Sequence, residues 1–227
     1  MNLNSMLYWW PRIEGLPIPK PRTILVPFGE TDRVAANAEA VTGEMVAKVD
    51  RVISKFHLPV FLRTDLSSAK HSWERSCFYK GQNLGGHLLE LLSETIATTF
   101  SLPSAFVVRE YIPMNAAFVA FRGLPIGQER RYMVEDSKVE RHFPYWPESA
   151  VAEGVWTTSD WRRILKELNR ESKPEVTLLT GYAEQVSTSL RGYWSVDFCR
   201  AKDEKWILID CARGDDSWQP KRKGILS

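Results

Sequence analysis

"YWSVDFCRAKDEKWILIDCARGDDSW", residues 193–218, sets two apolar runs on either side of a charged turn, and each run carries one aspartate near its middle, Asp197 and Asp210. The runs "WSVDF" and "WILID" are rich in β-branched and aromatic residues, and the polar "AKDEK" between them reads as the turn of a β-hairpin. With the turn centred on Asp203 and Glu204, the numbers of every cross-strand pair sum to 407, as do 197 and 210. Direct partners on one face of an antiparallel pair have Cβ atoms roughly 4.5–5.5 Å apart, where like charges repel. Two readings follow: a bound cation relieves the repulsion, or the pair faces solvent and is screened. Oxygen ligands at partial count suit a hard ion such as Mg²⁺, which keeps waters and takes further ligands from phosphates.

Outward from that hairpin, the second half reads as "RRYMV" and "KVERHF" paired across "EDS", then a helix capped by Ser159 with Trp161, Ile164, Leu165 and Leu168 on one stripe, then a helix with Pro174 in its first turn. The stretch "MNAAFVAFRGLPIGQ" before these has no clear period. In the first half, "TILVPF", "PVFLR" (59–63), "CFYK" (77–80) and "AFVVREYI" (105–112) read as strands. Val41, Met45, Val49, Val52, Ile53 and Phe56 mark one long amphipathic helix, and Leu84 to Thr99 another, with Asn83 as its cap. Four prolines in "PRIEGLPIPKPR" (11–22) imply an extended arm with no regular element. The order of elements argues for an α+β fold with mainly antiparallel sheets.

The 227 residues suffice for one sizeable domain or two small lobes, and a hydrophobic content of 44% is that of an ordinary globular protein. A net charge of +2 provides no electrostatic footprint for nucleic acid, and the basic end "PKRKG" reads as a solvated tail. Three cysteines (Cys77, Cys199, Cys211) without CxxC spacing imply packing residues and no disulfide framework. No apolar run approaches the ~20 residues that cross a bilayer, and no secretory signal stands at the start, so the expected location is cytoplasmic. No GxxxxGK[ST], GxGxxG or nucleophile elbow is present, and His57, His71, His87 and His142 are scattered without zinc spacing.

Cations recur at strand ends: Arg63 closes "PVFLR", Lys80 closes "CFYK", Arg109 follows "FVV" and Arg131 opens "RYMV". Set around a cleft with a paired acidic site, they suit a nucleoside triphosphate and its metal. The ordered set "PVFLRTDLSSAK", "FYK", "FVVREYIPM", "ERRYMV" and "SVDF…WILIDCARGD" resembles the ATP-grasp superfamily over about residues 58–218. Within it, the sequence is similar to small bacterial and phage ATP-grasp proteins and to the eukaryotic assembly chaperone for translation initiation factor two.

The resemblance implies two lobes with ATP between them: a small lobe with the hinge at 58–112, a large lobe at 113–227, and an N-terminal arm, strand and helix at 1–57. It implies that Arg63, Lys70 and Lys80 reach the phosphates, and that Glu110, Tyr111 and Ile112 form the hinge against the adenine edge. It further implies that Glu129 and Arg131 contact phosphate or acyl group, and that Asp197 and Asp210 hold Mg²⁺. The activity implied is ligation of a small-molecule or peptide carboxylate to an amine through an acyl-phosphate, with Arg63, Lys70 and Arg131 as catalytic cations. The alternative is an ATP-binding assembly factor acting on a protein partner with little turnover. Two departures stand out. Ala212 occupies the place where the family carries a metal-binding asparagine, with Asp215 and Asp216 the nearest substitutes, and the loop between "FLR" and "FYK" is serine-rich.

Overall fold

The computed structural model describes residues 2–68, 70–121, 123–152 and 158–220. The basic tail from Lys221 onward lies outside the described residues.

The chain opens with helix α1 (Met6–Ile13), which carries Pro11 inside it. This corrects the expectation that 11–22 holds no regular element; only 14–22 follows it. Proline within a helix costs about 3 kcal/mol, but Met6, Trp9, Trp10 and Ile13 are all buried, and each such side chain returns about 1.5–3 kcal/mol. Strand β1 (Thr23–Pro27) leads to a helix the periodicity did not reveal, α2 (Glu30–Asn37), where the Asp32 carboxylate accepts the Gly29 N–H at 2.9 Å. Helix α3 (Gly43–Ile53) is shorter than the stripe from Val41 to Phe56 suggests, because Thr42 caps it and those two flanking residues pack on the core from outside the helix. Then come β2 (Val60–Thr64), the two-residue β3 (Phe78–Tyr79), α4 (Leu84–Thr99) with Asn83 as the expected cap, and β4 (Ala105–Glu110).

These strands form one antiparallel sheet in the order β1-β4-β2-β3. Alternation assigns its two faces. Val60, Leu62, Phe106 and Val108 face α3 and α4 in one core, whereas Phe61, Arg63, Val107 and Arg109 share the opposite face. Residues 1–57 are therefore shared out between the two cores: β1 edges this sheet, α3 covers it, and α1 packs with the second core.

The second half begins with a hairpin that sequence period missed, β5 (Ala116–Ala120) and β6 (Leu124–Gly127). Strands β7 (Glu129–Glu135) and β8 (Lys138–Pro144) turn at Asp136 and Ser137, both at positive φ, the backbone a two-residue hairpin of this hand requires. Helices α5 (Glu148–Ala152), α6 (Trp161–Leu168) and α7 (Lys173–Ser189) follow. The residue before α6 is Asp160 and not Ser159, and its carboxylate pairs with Arg163 in place of capping. Pro174 lies in the first turn of α7, as expected. Finally β9 (Trp194–Arg200) and β10 (Trp206–Arg213) complete a second antiparallel sheet, order β10-β9-β7-β8. One face of it (Tyr132, Val134, Val196, Phe198) packs under α7 and α1. The other turns toward the first sheet. The fold is α+β with two antiparallel four-stranded sheets and a cleft between them.

Candidate nucleotide cleft

The register of the second sheet builds the cleft floor. Asp210 pairs with Asp197, and Asp197 pairs with Arg131 on its other side, so three charged residues stand in a row across β10, β9 and β7. The alignment of the acids is reached by a different route from the constant sum of 407. Near the turn the pairs run Trp206–Arg200 to Leu208–Phe198, one position off that register, and a bulge at Ile209 restores it from Asp210 onward. Two residues along on the same face lie Glu129 and Cys199, themselves paired.

The two acids do not face each other unscreened. Arg131 forks onto Asp197 with its Nε at 2.8 Å from Oδ1 and its Nη2 at 2.7 Å from Oδ2. Arg63, buried in the first sheet, reaches across the cleft to Asp210 Oδ1 at 3.0 Å. Two arginines thus relieve the repulsion that the sequence left to an ion or to solvent. Burial opposes the charge on Arg131, but Asp197 more than compensates and holds the guanidinium above its ordinary range.

Lys70 stands in a short 3-10 turn (Lys70–Ser72) after the serine-rich loop. Its Nζ is 3.8 Å from Glu129 Oε2 and lies over the rings of Tyr145 and Trp146. Burial alone would lower the Lys70 pKa, but Glu129, then Tyr145, Asp210 and Asp197, hold it above the ordinary lysine value. Glu129 is buried and receives the Trp146 indole N–H on Oε1 at 3.1 Å, while Oε2 has no hydrogen bond. Burial raises its pKa, with Lys70 pulling the other way. Arg109 donates to the Ile209 carbonyl at 2.6 Å and to Thr23 Oγ1 at 3.1 Å, and its Nη2 is buried with no partner. Burial, with Arg63 adding to it, lowers this guanidinium to about 10.

Two cavities adjoin along this floor. A wide one of about 580 Å³ is bounded by Ser67, Ser68, Arg131, Tyr145, Trp146, Asp197, Ala212 and Trp218. A narrow one of about 80 Å³ has the largely apolar wall Phe61, Trp73, Ile112, Met114 and Ile209, with Arg63, Arg109, Glu110, Tyr111 and Glu129 at its edges. Ser68, Lys70, Leu124 and Asp210 belong to both.

Ten of the eleven residues singled out from sequence therefore line one cavity or the other: Arg63, Lys70, Arg109, Glu110, Tyr111, Ile112, Glu129, Arg131, Asp197 and Asp210. Lys80 does not. It lies one residue past the short edge strand β3, exposed, with its Nζ 3.5 Å from Glu74 and over the Phe78 ring. Asp215 and Asp216 also stand apart, near Arg213 and Asn4 respectively, and neither replaces the missing ligand at Ala212. Among the described residues no group of three or more His, Cys, Asp or Glu side chains converges as a metal site. Sequence reasoning missed Tyr145, Trp146, Trp73 and Trp218; the one available signal was the aromatic pair in "FPYWPES", which nothing local ties to a cleft.

No family model matches the chain, and no curated protein does. Solved structures do. Cdc123 from Schizosaccharomyces pombe superposes with a TM-score of 0.57 at 13% identity, covering 92% of this chain and 82% of that one. N5-carboxyaminoimidazole synthase from Aspergillus clavatus, solved in complex with ADP and 5-aminoimidazole ribonucleotide, gives 0.53 at 9% identity, covering 93% and 44%. N5-carboxyaminoimidazole ribonucleotide synthetase from Thermotoga maritima gives 0.50 at 10%, covering 93% and 42%. Structural neighbours of this kind are ATP-grasp proteins. The chain has the ATP-grasp fold. At these identities the likeness is one of fold alone, and the chain spans less than half the length of either synthetase. Within this ATP-grasp fold, both cavities lie where the two four-stranded sheets face each other. No helix among the described residues is long and apolar enough to cross a membrane.

Proposed function

We propose that the cleft binds ATP and uses it to join a carboxylate, on a small molecule or a peptide, to an amine through an acyl-phosphate. The observation that carries this reading is the convergence of Arg63, Lys70, Arg131, Asp197 and Asp210 where a narrow apolar cavity meets a wide one of mixed polar and apolar lining. The base would lie in the narrow cavity beside Glu110, Tyr111 and Ile112, and the phosphates along Lys70 and Arg63. The carboxylate would enter the wide cavity beside Arg131. The part of these cations is electrostatic, since fixed positive charge in a water-poor site favours the charge that develops on a transferred phosphoryl group. Asp197 and Asp210 offer the oxygen-only donors that suit Mg²⁺, an ion content with one or two carboxylates plus phosphates, and their arginine partners would have to release them. When bound, that ion would neutralise phosphate charge. In this assignment residues 58–112 form the small lobe with the hinge, 113–227 the large lobe, and Lys80 takes no part.

A test is nucleotide binding followed by product analysis. ATP with Mg²⁺ should bind, and ADP with phosphate should appear when a suitable acid and amine are supplied. Lys70→Met should weaken both. Absence of any nucleotide binding would remove the proposal. The second reading, an assembly factor that holds ATP with little turnover, is favoured by Ala212 in place of a third ligand and by the arginines engaging both acids. Binding without ADP release across a broad panel of acceptors would select it.

A further inference from the structure

An exposed tryptophan borders the wide cavity. Trp218 is 48% exposed, whereas every other tryptophan among the described residues is buried. Its backbone is not loose. The Trp218 carbonyl accepts from Arg131 Nη1 at 3.1 Å, the Pro220 carbonyl accepts from Arg141 Nη2 at 2.9 Å, and the Tyr193 hydroxyl donates to the Gln219 side chain at 3.1 Å. The indole meets the Phe143 ring edge-on, with centroids 5.8 Å apart. A large aromatic residue is therefore held in place at a cavity with about half of its surface still open. Such surface gains by burial against a ligand, and with the backbone already fixed, little further ordering opposes the contact.

Arg131 links this residue to an aromatic wall. Its guanidinium lies over the Tyr145 ring at 4.7 Å, Tyr145 packs edge-on to Trp146 at 5.0 Å, and Trp146 stacks on Phe121 at 6.1 Å, all of them residues that line the same cavity. Aromatic walls with a few placed polar groups take an apolar body whose polar end fixes its orientation. In the reading above, that end is a carboxylate beside Arg131. The acids nearby do not meet it as bare charges, since Arg131 forks Asp197 and Arg63 holds Asp210. Glu94 of α4 also lines the cavity and would favour a cationic ligand instead, an alternative with its own arm in the test. Resting on the ligase reading, we propose that the carboxylate substrate carries an aryl group, and that Trp218 is the specificity-determining residue that packs against it.

The experiment measures dissociation constants by titration calorimetry on the full chain, with and without Mg²⁺ and ADP. Three probes are used: N-acetylphenylalanine, N-acetylalanine, which lacks the ring, and 2-phenylethylamine, which carries the ring on a cation. The parent should bind N-acetylphenylalanine about tenfold or more tighter than either of the others, the scale of burying part of an aromatic side chain. Trp218→Ala should cut the preference over N-acetylalanine by about fivefold or more, the scale of one aromatic pair, and Trp218→Phe should keep most of it. Both substitutions leave the carbonyl that Arg131 grips. Trp218→Leu, apolar but without a ring, replaces the alanine variant should that one not fold. Each ratio is taken within one protein, so a general loss of stability cancels. A parent without preference for the ring, a ratio that neither Trp218→Ala nor Trp218→Leu moves, or tighter binding of 2-phenylethylamine overturns the inference. So does a failure of N-acetylphenylalanine to bind at millimolar concentration. ATP binding by the parent, measured separately, decides the nucleotide reading: ATP bound without a ring preference leaves that reading in place and removes this one.

Discussion

Asp197 and Asp210 show how a residue's surroundings decide what its charge does. Each acid is held by an arginine, and Arg63 is almost wholly buried. Removing one member of a buried pair strands the other, at about 3–5 kcal/mol in a fully buried site; Asp210 is one-third exposed, so less is expected there. Asp210→Asn should thus lower the ligand-free melting temperature, and an unchanged value in thermal denaturation would show that Arg63 finds another partner. Lys80→Met, by contrast, should leave nucleotide affinity as it is, while Lys70→Met weakens it; titration calorimetry on the pair separates the two lysines.

The three cysteines add a pH dependence at the same scale. Burial raises the thiols of Cys77 and Cys199 to about 12, and Cys211 well above its ordinary value. A thiol whose folded pKa exceeds its unfolded one keeps its proton in the native chain while the unfolded chain loses it, so stability falls as pH rises from ~8.5 toward 12. By pH 10 Cys77 and Cys199 would each cost on the order of 1–2 kcal/mol. The melting temperature should therefore decline between pH 8 and pH 10, and Cys77→Ala should flatten that decline; an equal slope in the variant would count against burial as its cause.

At the scale of elements, helix α1 acts as a clasp between the two sheets. Its cap Ser5 accepts the Leu7 N–H and donates to the buried Asp65 at 2.5 Å, in the loop that leads to Ser67, Ser68 and Lys70. Asp65 also accepts the N–H groups of Ser104 and Ala105. Asn4 just before it accepts the Arg213 N–H at the end of β10 and donates to Asp216. On the helix itself, Tyr8 stacks on Trp194 of β9. Ser5→Ala removes a cap worth about 1 kcal/mol and a hydrogen bond to a charged group worth about 1.5–3 kcal/mol. In a chain of this size each kcal/mol moves the melting point by about 2–4 °C, so a fall of roughly 5–15 °C is expected. Calorimetry checks it, and a drop under about 2 °C would mean the clasp carries little of the fold.

At the scale of the whole molecule, the cleft is closed by contacts that a nucleotide would have to rearrange. Arg63 and Arg109 cross from the first sheet to Asp210 and Ile209 of the second, and the segment between β4 and β5 is tied to the β9–β10 turn by Lys202 N–H on the Pro113 carbonyl and Asn115 on Glu204. A ligand that binds only the native state at a hundredfold excess over its Kd stabilises it by about 2.7 kcal/mol, a rise of roughly 5–11 °C here. Mg²⁺ and ATP together should produce that rise and either alone should produce less. A melting point unmoved at millimolar concentrations of both would contradict the proposed function.

What the sequence determined by itself was local: alternation named most strands, the Asn83 cap and the leucine stripe placed α4, and strand-end cations with two hairpin acids marked the residues of the cleft. These follow from interactions within a few positions, which a linear reading can follow. Tertiary structure decided the rest. Pro11 is helical because distant Trp194, Leu179 and Ala183 give α1 a core to bury into, and Lys80 leaves the cleft because β3 ends one residue before it at a sheet edge. The opening acids meet through a bulge at Ile209 that corrects a turn one residue out of register. Their charges are balanced by Arg131 from a neighbouring strand and by Arg63, more than a hundred residues away from Asp210. Neither partner could be assigned from sequence, because burial and charge pairing depend on which faces the two sheets turn to each other.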